Sequence, residues 1–193
     1  MIEVRIHGRG GQGAVIASEI LATASFYDGK FCQSFPAFGV ERRGAPVTAF
    51  TRIDDKYIRI RTQIYAPDHI IVLDQTLLTE GVEVTGGLKH GGWIVVNSRK
   101  DLAGFPGFNK YRVATVDANS IAMSHGVGTS TAPVVNTTIL GAFVRVTELV
   151  TIDSVIKAIK EIVPTKRDQN ALAAQEAYEK VFYHKGSSPW REG

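Results

Sequence analysis

Hydrophobic and polar positions change their rhythm several times along this chain, and that rhythm outlines an alternating α/β protein. Ile2, Val4 and Ile6 alternate with polar residues, the period of a strand, and a glycine-dense run, Gly8-Arg9-Gly10-Gly11-Gln12-Gly13, follows at once. From Ala14 to Asp28 the spacing turns helical, with Val15, Ile16, Ile20, Leu21 and Ala24 recurring and Gly29 placed as a terminator. Lys30 to Ser34 predicts a second short strand. Phe35 to Pro46 has no usable period and reads as a long loop. Val47 to Ile53 and Lys56 to Thr62 are strand-like runs about Asp54-Asp55, which predicts an antiparallel hairpin. Arg52, Tyr57, Arg59 and Arg61 would share its outer face, with Ile53, Ile58 and Ile60 facing the core.

His69-Ile70-Ile71-Val72-Leu73-Asp74 has the unbroken apolar character of a central parallel strand, and Gln75 to Glu80 begins a short helix. Trp93 to Val96 and Tyr111 to Val116 are further strands, and Asn119 to Ser124 is one or two helical turns. Pro133 to Leu149 predicts a long apolar helix with Pro133 in its first turn. Ile152 to Val163 is amphipathic, capped by Thr151 or Asp153 and stopped by Pro164. Asp168 to Lys185 carries Leu172, Tyr178, Val181 and Phe182 as an apolar stripe. The expected fold is α/β: a single Rossmann-like mixed sheet with flanking helices and an internal β-hairpin. One domain would span residues 1–185, with residues 186–193 as an extended tail.

Composition narrows the chemistry more than the fold. The 193 residues are 44% hydrophobic and 21% charged, an ordinary balance for a folded soluble domain, and a net charge of +3 is too small to imply a nucleic-acid partner. Met1-Ile2-Glu3-Val4-Arg5 is not a secretory leader and no apolar run is long enough for a membrane span, so the expectation is a cytoplasmic protein with no membrane partner. Cys32 is the single cysteine, and it can neither close an internal disulfide nor ligate an iron–sulfur cluster; it reads as a small buried hydrophobe. His69, His90, His125 and His184 lack metal-ligand spacing, so no metal site is predicted.

Two loops carry the candidate chemistry. Gly8, Gly10 and Gly13 match G-x-G-x-x-G between a predicted strand and a predicted helix, with Gly11 added. Such a loop lets backbone N–H groups and a helix N-terminus face a phosphate or carboxylate, and Arg9 would reinforce the preference. The competing reading is that the glycines only permit close strand–helix packing. An NAD site is disfavoured because Phe31-Cys32-Gln33-Ser34 lacks the acid that would hold the ribose, and no Walker-type Gly-Lys-Ser/Thr is present. In the second loop, Glu41, Arg42 and Arg43 offer a carboxylate and forked donors for a ligand or a partner chain, while Pro36, Gly39, Gly44 and Pro46 limit its freedom. His7, beside the glycine loop, either donates to an anion or is simply packed. Asn136, inside the apolar helix, reads as a satisfied core amide, with a ligand contact as the competing reading.

Taken together, Gly8 to Ala14, Phe38-Gly39-Val40-Glu41-Arg42-Arg43-Gly44-Ala45-Pro46-Val47 and His69 to Asp74 resemble the gamma subunits of 2-oxoacid:ferredoxin oxidoreductases. The late Asn136-Thr137-Thr138-Ile139-Leu140-Gly141-Ala142 segment extends the resemblance over nearly the whole chain. The wording of the arginine loop inclines toward pyruvate over 2-oxoglutarate or 2-oxoisovalerate. The resemblance implies an enzyme of alpha, beta, gamma and delta subunits that decarboxylates a 2-oxoacid on thiamine diphosphate with magnesium. Electrons would pass through iron–sulfur clusters to ferredoxin, and the acyl group to coenzyme A (CoA). It also implies that the thiamine and cluster sites reside on partner subunits, since this chain has no Gly-Asp-Gly…Asn signature and one cysteine. No catalytic residue is expected here. Gly8, Arg9, Gly10, Gly11, Gly13, Glu41, Arg42 and Arg43 are the candidates for contacts with the phosphate end of CoA or with partner chains. A free-standing nucleotide-binding protein is the alternative.

Overall fold

A computed structural model describes residues 1–37, 43–100, 108 and 111–183. β1 (Ile2–Arg9) runs into α1 (Ala14–Tyr27), then β2 (Phe31–Pro36), β3 (Pro46–Asp54), β4 (His69–Val72), β5 (Trp93–Asn97) and β6 (Arg112–Val116). Four further helices follow, α2 (Ala118–Ser124), α3 (Thr138–Thr147), α4 (Ile152–Ile162) and α5 (Arg167–Lys180), and then β7 (Phe182–Tyr183). The seven strands form one sheet in the order β2-β3-β1-β4-β5-β6-β7. β1, β4, β5 and β6 are parallel, while the β1–β3, β2–β3 and β6–β7 pairs are antiparallel. The expected mixed α/β sheet is present. It departs from a dinucleotide-binding unit at the outset, because β3 separates β1 from β2.

The helices lie on one face of the sheet. Val4, Ile6, Ala49, Ile53, Ile71, Val95 and Ala114 turn toward them and share the main core with Ile20, Leu21, Phe143 and Ile159. α3 meets α5 through small residues: a Cβ at Gly141 would lie 1.8 Å from the Ala174 carbonyl oxygen, so any side chain there separates the helices. Apart from Asn170 in its first turn, the buried positions of α5 are all alanines: Ala171, Ala173, Ala174 and Ala177. Leu172, from the predicted stripe, is 56% exposed, because alanines allow the close approach that a leucine would prevent.

Among the described residues no α-helix covers the opposite face, where the only helical piece is a single 3-10 turn, Gln75–Leu78, in place of the short helix expected from Gln75 to Glu80. Over its central strands, Ile70, Val72, Ile94, Val96 and Val113 form a second, smaller cluster with Leu77 and Val84 from the β4–β5 connection. Toward the β1–β3 side the inward positions are polar, and they fasten loops through hydrogen bonds. Arg5 donates to the carbonyls of Val84 (2.9 Å) and Gly86 (2.6 Å) and to Nε2 of His7 (3.0 Å). Arg52 pairs with Glu3 (2.9 Å) and donates to the carbonyls of Ile60 (3.3 Å) and Thr62 (2.7 Å), while Gln33 donates to the carbonyl of Ile58 (3.1 Å).

These contacts correct the predicted hairpin. Residues 56–62 form no strand; they cross the sheet as a strap, and the internal hairpin is β2–β3, in which Gln33 stands opposite Arg52. Arg52 is 1% exposed, not on an outer face. Its guanidinium takes the place of a backbone ladder: Nη1 and Nη2 meet carbonyls that a partner strand would otherwise satisfy, while Nε is held by the Glu3 carboxylate. Two helix boundaries also differ. Pro133 lies in a loop bridged to Gly128, and α3 begins at Thr138. Thr151 does cap α4, its hydroxyl accepting from the Ser154 amide at 3.3 Å. Cys32 is half-buried. The predicted tail, residues 186–193, lies outside the described residues.

Candidate functional site

The chain leaves β1 for the helical face and leaves β4 for the loop-covered face, so the sheet has a topological switch point between these adjacent parallel strands. Open α/β sheets form their ligand crevices at that place, beyond the carboxyl ends of the strands. Here a cavity of about 890 Å³ lies there, bounded by Gly11–Gly13, the residues after β4 and β5, and Thr131–Asn136.

The glycine loop builds one wall. Gly8 passes so close to β4 that a Cβ would lie 3.0 Å from Cδ1 of Leu73. Gly11 and Gly13 have φ of 95° and 78°, values that favour glycine. Gly13 is the N-cap of α1, which has no side-chain cap, so the first-turn N–H groups are left for a ligand or water. A Cβ on Gly13 would lie 2.4 Å from Nδ2 of Asn136, which itself donates to the Gly13 carbonyl at 3.2 Å. That bond turns Oδ1 of Asn136 away, and this oxygen is buried with no partner. The core amide read from the sequence is therefore only half satisfied. The wall supports both readings of the glycines: Gly8 and Gly13 allow close packing, and the loop opens α1 to the crevice.

Arg9 does something other than bind an anion. Its guanidinium donates to Asp74 (3.1 Å), Glu80 (2.7 Å), Thr76 (2.6 Å) and the carbonyl of Gly44 (3.2 Å). The hydrogen bond with Glu80 foremost, and both carboxylates' charges, hold Arg9 more firmly protonated than a free arginine. Gln12 links the same parts, accepting from the Arg9 amide (2.8 Å) and donating to Asp74 (3.0 Å). Burial opposes ionisation of Asp74, but hydrogen bonds from Thr76 and Gln12 and the charge of Arg9 outweigh it and hold its carboxyl below the ordinary range. Arg9 is thus a brace between the glycine loop and the residues after β4.

The second candidate loop ends on the first. Gly10 forms a parallel bridge with Arg43; the Gly44 amide donates to the Gly10 carbonyl (3.1 Å) and the Gly10 amide to that of Ala45 (2.9 Å). The Arg43 side chain is exposed. Glu41 and Arg42 lie outside the described residues. His7 is buried and packed: burial, then the charge of Arg5, lowers its pKa to about 3, so it faces Arg5 as a neutral acceptor.

On the far wall, Asn97 at the end of β5 donates to the Leu73 carbonyl (2.9 Å) and accepts from the Ala118 amide (3.1 Å), and Ser98 donates to Gln75 (2.7 Å). Arg99 is drawn to Asp117 (2.9 Å) and Ser120 (3.0 Å), whereas exposed Lys100 has no ion-pair partner among the described residues. The sequence reading missed Gln12, Asp74, Asn97 and Lys100. A signal was available, since Asp74 and Asn97-Ser98 are the first polar residues after buried parallel strands. Among the described residues no cluster of His, Cys, Asp and Glu could hold a metal, and no helix is long and apolar enough to cross a membrane.

The one-sided α/β sheet thus carries a polar crevice at its switch point, with an open helix N-terminus on one wall and, on the other, a lysine that has no ion-pair partner among the described residues. The family model for pyruvate ferredoxin/flavodoxin oxidoreductase matches residues 3–180, and the chain belongs to that family as a gamma-type subunit of an oxidoreductase assembled from several chains. It is 55% identical over 184 residues to the pyruvate synthase subunit PorC of Methanocaldococcus jannaschii, covering 94% of this chain and 98% of that one. It is 53% identical over 192 residues to the pyruvate/ketoisovalerate oxidoreductases common subunit gamma of Thermococcus kodakarensis, covering 95% and 99%. The crystal structure of pyruvate oxidoreductase subunit PORC from Thermotoga maritima superposes with a TM-score of 0.78 at 36% identity, over 94% of this chain and 97% of that one. The fold also recurs, at 15% identity and a TM-score of 0.68, in 30% of a chain of the 2-oxoglutarate:ferredoxin oxidoreductase from Magnetococcus marinus, with this chain covered over 93%.

Proposed function

We propose that this chain is the gamma subunit of a pyruvate:ferredoxin oxidoreductase, and that its switch-point crevice receives the phosphate-bearing end of CoA. The reaction converts pyruvate, CoA and oxidised ferredoxin to acetyl-CoA, carbon dioxide and reduced ferredoxin. Thiamine diphosphate, magnesium and the iron–sulfur clusters belong to the alpha, beta and delta subunits in this reading, and they supply the decarboxylation and electron transfer. The present chain contributes binding. The open first turn of α1 and Lys100 offer donors and positive charge to a phosphate, and Oδ1 of Asn136 offers an acceptor to an N–H or hydroxyl of the same ligand. The observation that carries this is the buried, unpartnered Asn136 oxygen beside that N-terminus. The braced loops, Gly8–Gly13 with Arg9 and the end of the arginine loop at Arg43, form the rim that meets the thiamine-bearing partners. Partner subunits choose between pyruvate and another 2-oxoacid.

Steady-state kinetics of the assembled enzyme carrying Lys100→Ala tests the assignment. Loss of one charged phosphate contact predicts an apparent KM for CoA raised about tenfold, with the KM for pyruvate unchanged. An unchanged KM for CoA in an intact complex would remove the crevice from the CoA path. Arg42→Ala/Arg43→Ala tests the rim in the same assay: a raised KM for CoA marks a ligand contact, and dissociation at constant KM marks an interface.

A further inference from the structure

The strap over residues 56–62 and the residues just after it present a surface that neither the core nor the crevice uses. Tyr57 is 71% exposed, Tyr65 75%, Ile60 46% and, on the edge strand β2, Phe31 47%. Phe31 and Tyr57 stack edge-on with ring centroids 6.2 Å apart, so the patch continues from the strap onto the sheet edge. Lys56, Arg59 and Arg61 are exposed between these rings with no carboxylate in ion-pair reach among the described residues, since neighbouring Asp55 is taken by Lys30 and Asp54 by the N-terminal amine. The strap is also held in place. Ile58 and Ile64 are buried beneath it, and Arg52 and Gln33 hold three of its carbonyls.

Exposed tyrosine, isoleucine and arginine on a preorganised segment match the composition of interface anchors, for which little ordering entropy remains to be lost on binding. Three uncompensated cations select a partner surface that presents carboxylates. We infer that the Tyr57–Tyr65 strap, with Phe31, is a docking surface for an acidic face of another subunit of the same oxidoreductase. This rests on the gamma-subunit reading above. A subunit is favoured over a diffusible electron carrier because large apolar side chains dominate the patch, whereas transient electron-transfer contacts are small.

The test is co-purification of the complex through a tag on this chain over a salt series. Arg59→Glu/Arg61→Glu and, separately, Tyr57→Ser are compared with the wild type and with Phe26→Ser on the helical face. Both strap variants should release partner subunits at salt concentrations at which the wild type and Phe26→Ser retain them, with about tenfold less partner recovered. The altered positions are exposed, so thermal unfolding of the chain should not change. Arg59→Gln/Arg61→Gln should give an intermediate loss. Full retention by the strap variants would overturn the inference. So would an intact complex whose only defect is a raised KM for ferredoxin, because the surface would then serve the carrier. Absence of co-purifying subunits with the wild type would instead overturn the gamma-subunit reading itself.

Discussion

Replacing Gly13 by alanine tests whether the glycine loop and Asn136 form one fitted unit. The backbone there has φ of 78°, and an added Cβ would sit 2.4 Å from Nδ2 and 3.0 Å from Cγ of Asn136. An alanine in the left-handed region costs about 1–2 kcal/mol. The contact cannot be relieved by a surface side chain swinging away, because Asn136 is buried and bonded to the Gly13 carbonyl. Moving it forfeits that bond, about 1 kcal/mol net, and disturbs its packing. The sum is roughly 2–4 kcal/mol, or a fall in Tm of roughly 5–15 °C for a domain of this size. Gly11→Ala is the matched control: φ is 95° but nothing lies within 4 Å of the added Cβ, so only the backbone cost applies. Differential scanning fluorimetry of the two variants should therefore separate them. A Gly13→Ala/Asn136→Ala double variant should lose less than the sum of the single losses. Equal Tm losses for Gly13→Ala and Gly11→Ala would refute the fitted contact.

Other consequences follow from the same contacts. Arg52→Leu leaves Glu3 and the carbonyls of Ile60 and Thr62 without their donor, and should cost about 3–5 kcal/mol, read by urea denaturation, and open residues 56–62 to limited proteolysis. Burial, then the charge of Arg5, holds His7 at a pKa of about 3, and burial, with the charges of Arg112 and Lys89 and against that of Asp68, holds His69 at about 4, both below the unfolded value of about 6.5. Below pH 6.5 the unfolded chain therefore binds protons that the folded chain refuses. Stability should be flat with respect to these groups above about pH 7 and fall from about pH 6.5 downward, with His7→Gln reducing that slope in equilibrium denaturation. Arg9→Met removes the brace among Asp74, Glu80 and Gly44, and faster hydrogen exchange at Gly10 and Gly44 should report it.

Patterns that depend on neighbours in the chain were legible, and those set by neighbours in space were not. Alternation in β1, the apolar run of β4 and the amphipathic spacing of α4 each announce an element, because burial on one or both sides dictates them directly. Residues 56–62 alternate just as convincingly, yet no strand forms. Arg52 and Gln33 supply their donors from across the sheet, which no local period reveals. The helical stripe assigned to Leu172 failed for a related reason: α5 packs against Gly141, and contact with a glycine selects alanines. At the site, part of the glycine motif, Gly11 to Gly13, lines the crevice. The role expected of Arg9 did not follow, because Asp74 and Glu80, distant in sequence, neutralise it. Lys100 on the opposite wall, without an ion-pair partner among the described residues, is the basic side chain that local pattern did not single out.

Hydrogen–deuterium exchange of the assembled oxidoreductase, with and without CoA, tests the central claim most directly. Binding of a phosphate-bearing ligand in the crevice predicts slower exchange at the backbone amides of Gly11 to Ile16 and of Ser98 to Lys100, with the strap at residues 56–62 unaffected. Saturating CoA that leaves Gly11 to Ile16 unprotected, while protecting amides only on partner subunits, would contradict it.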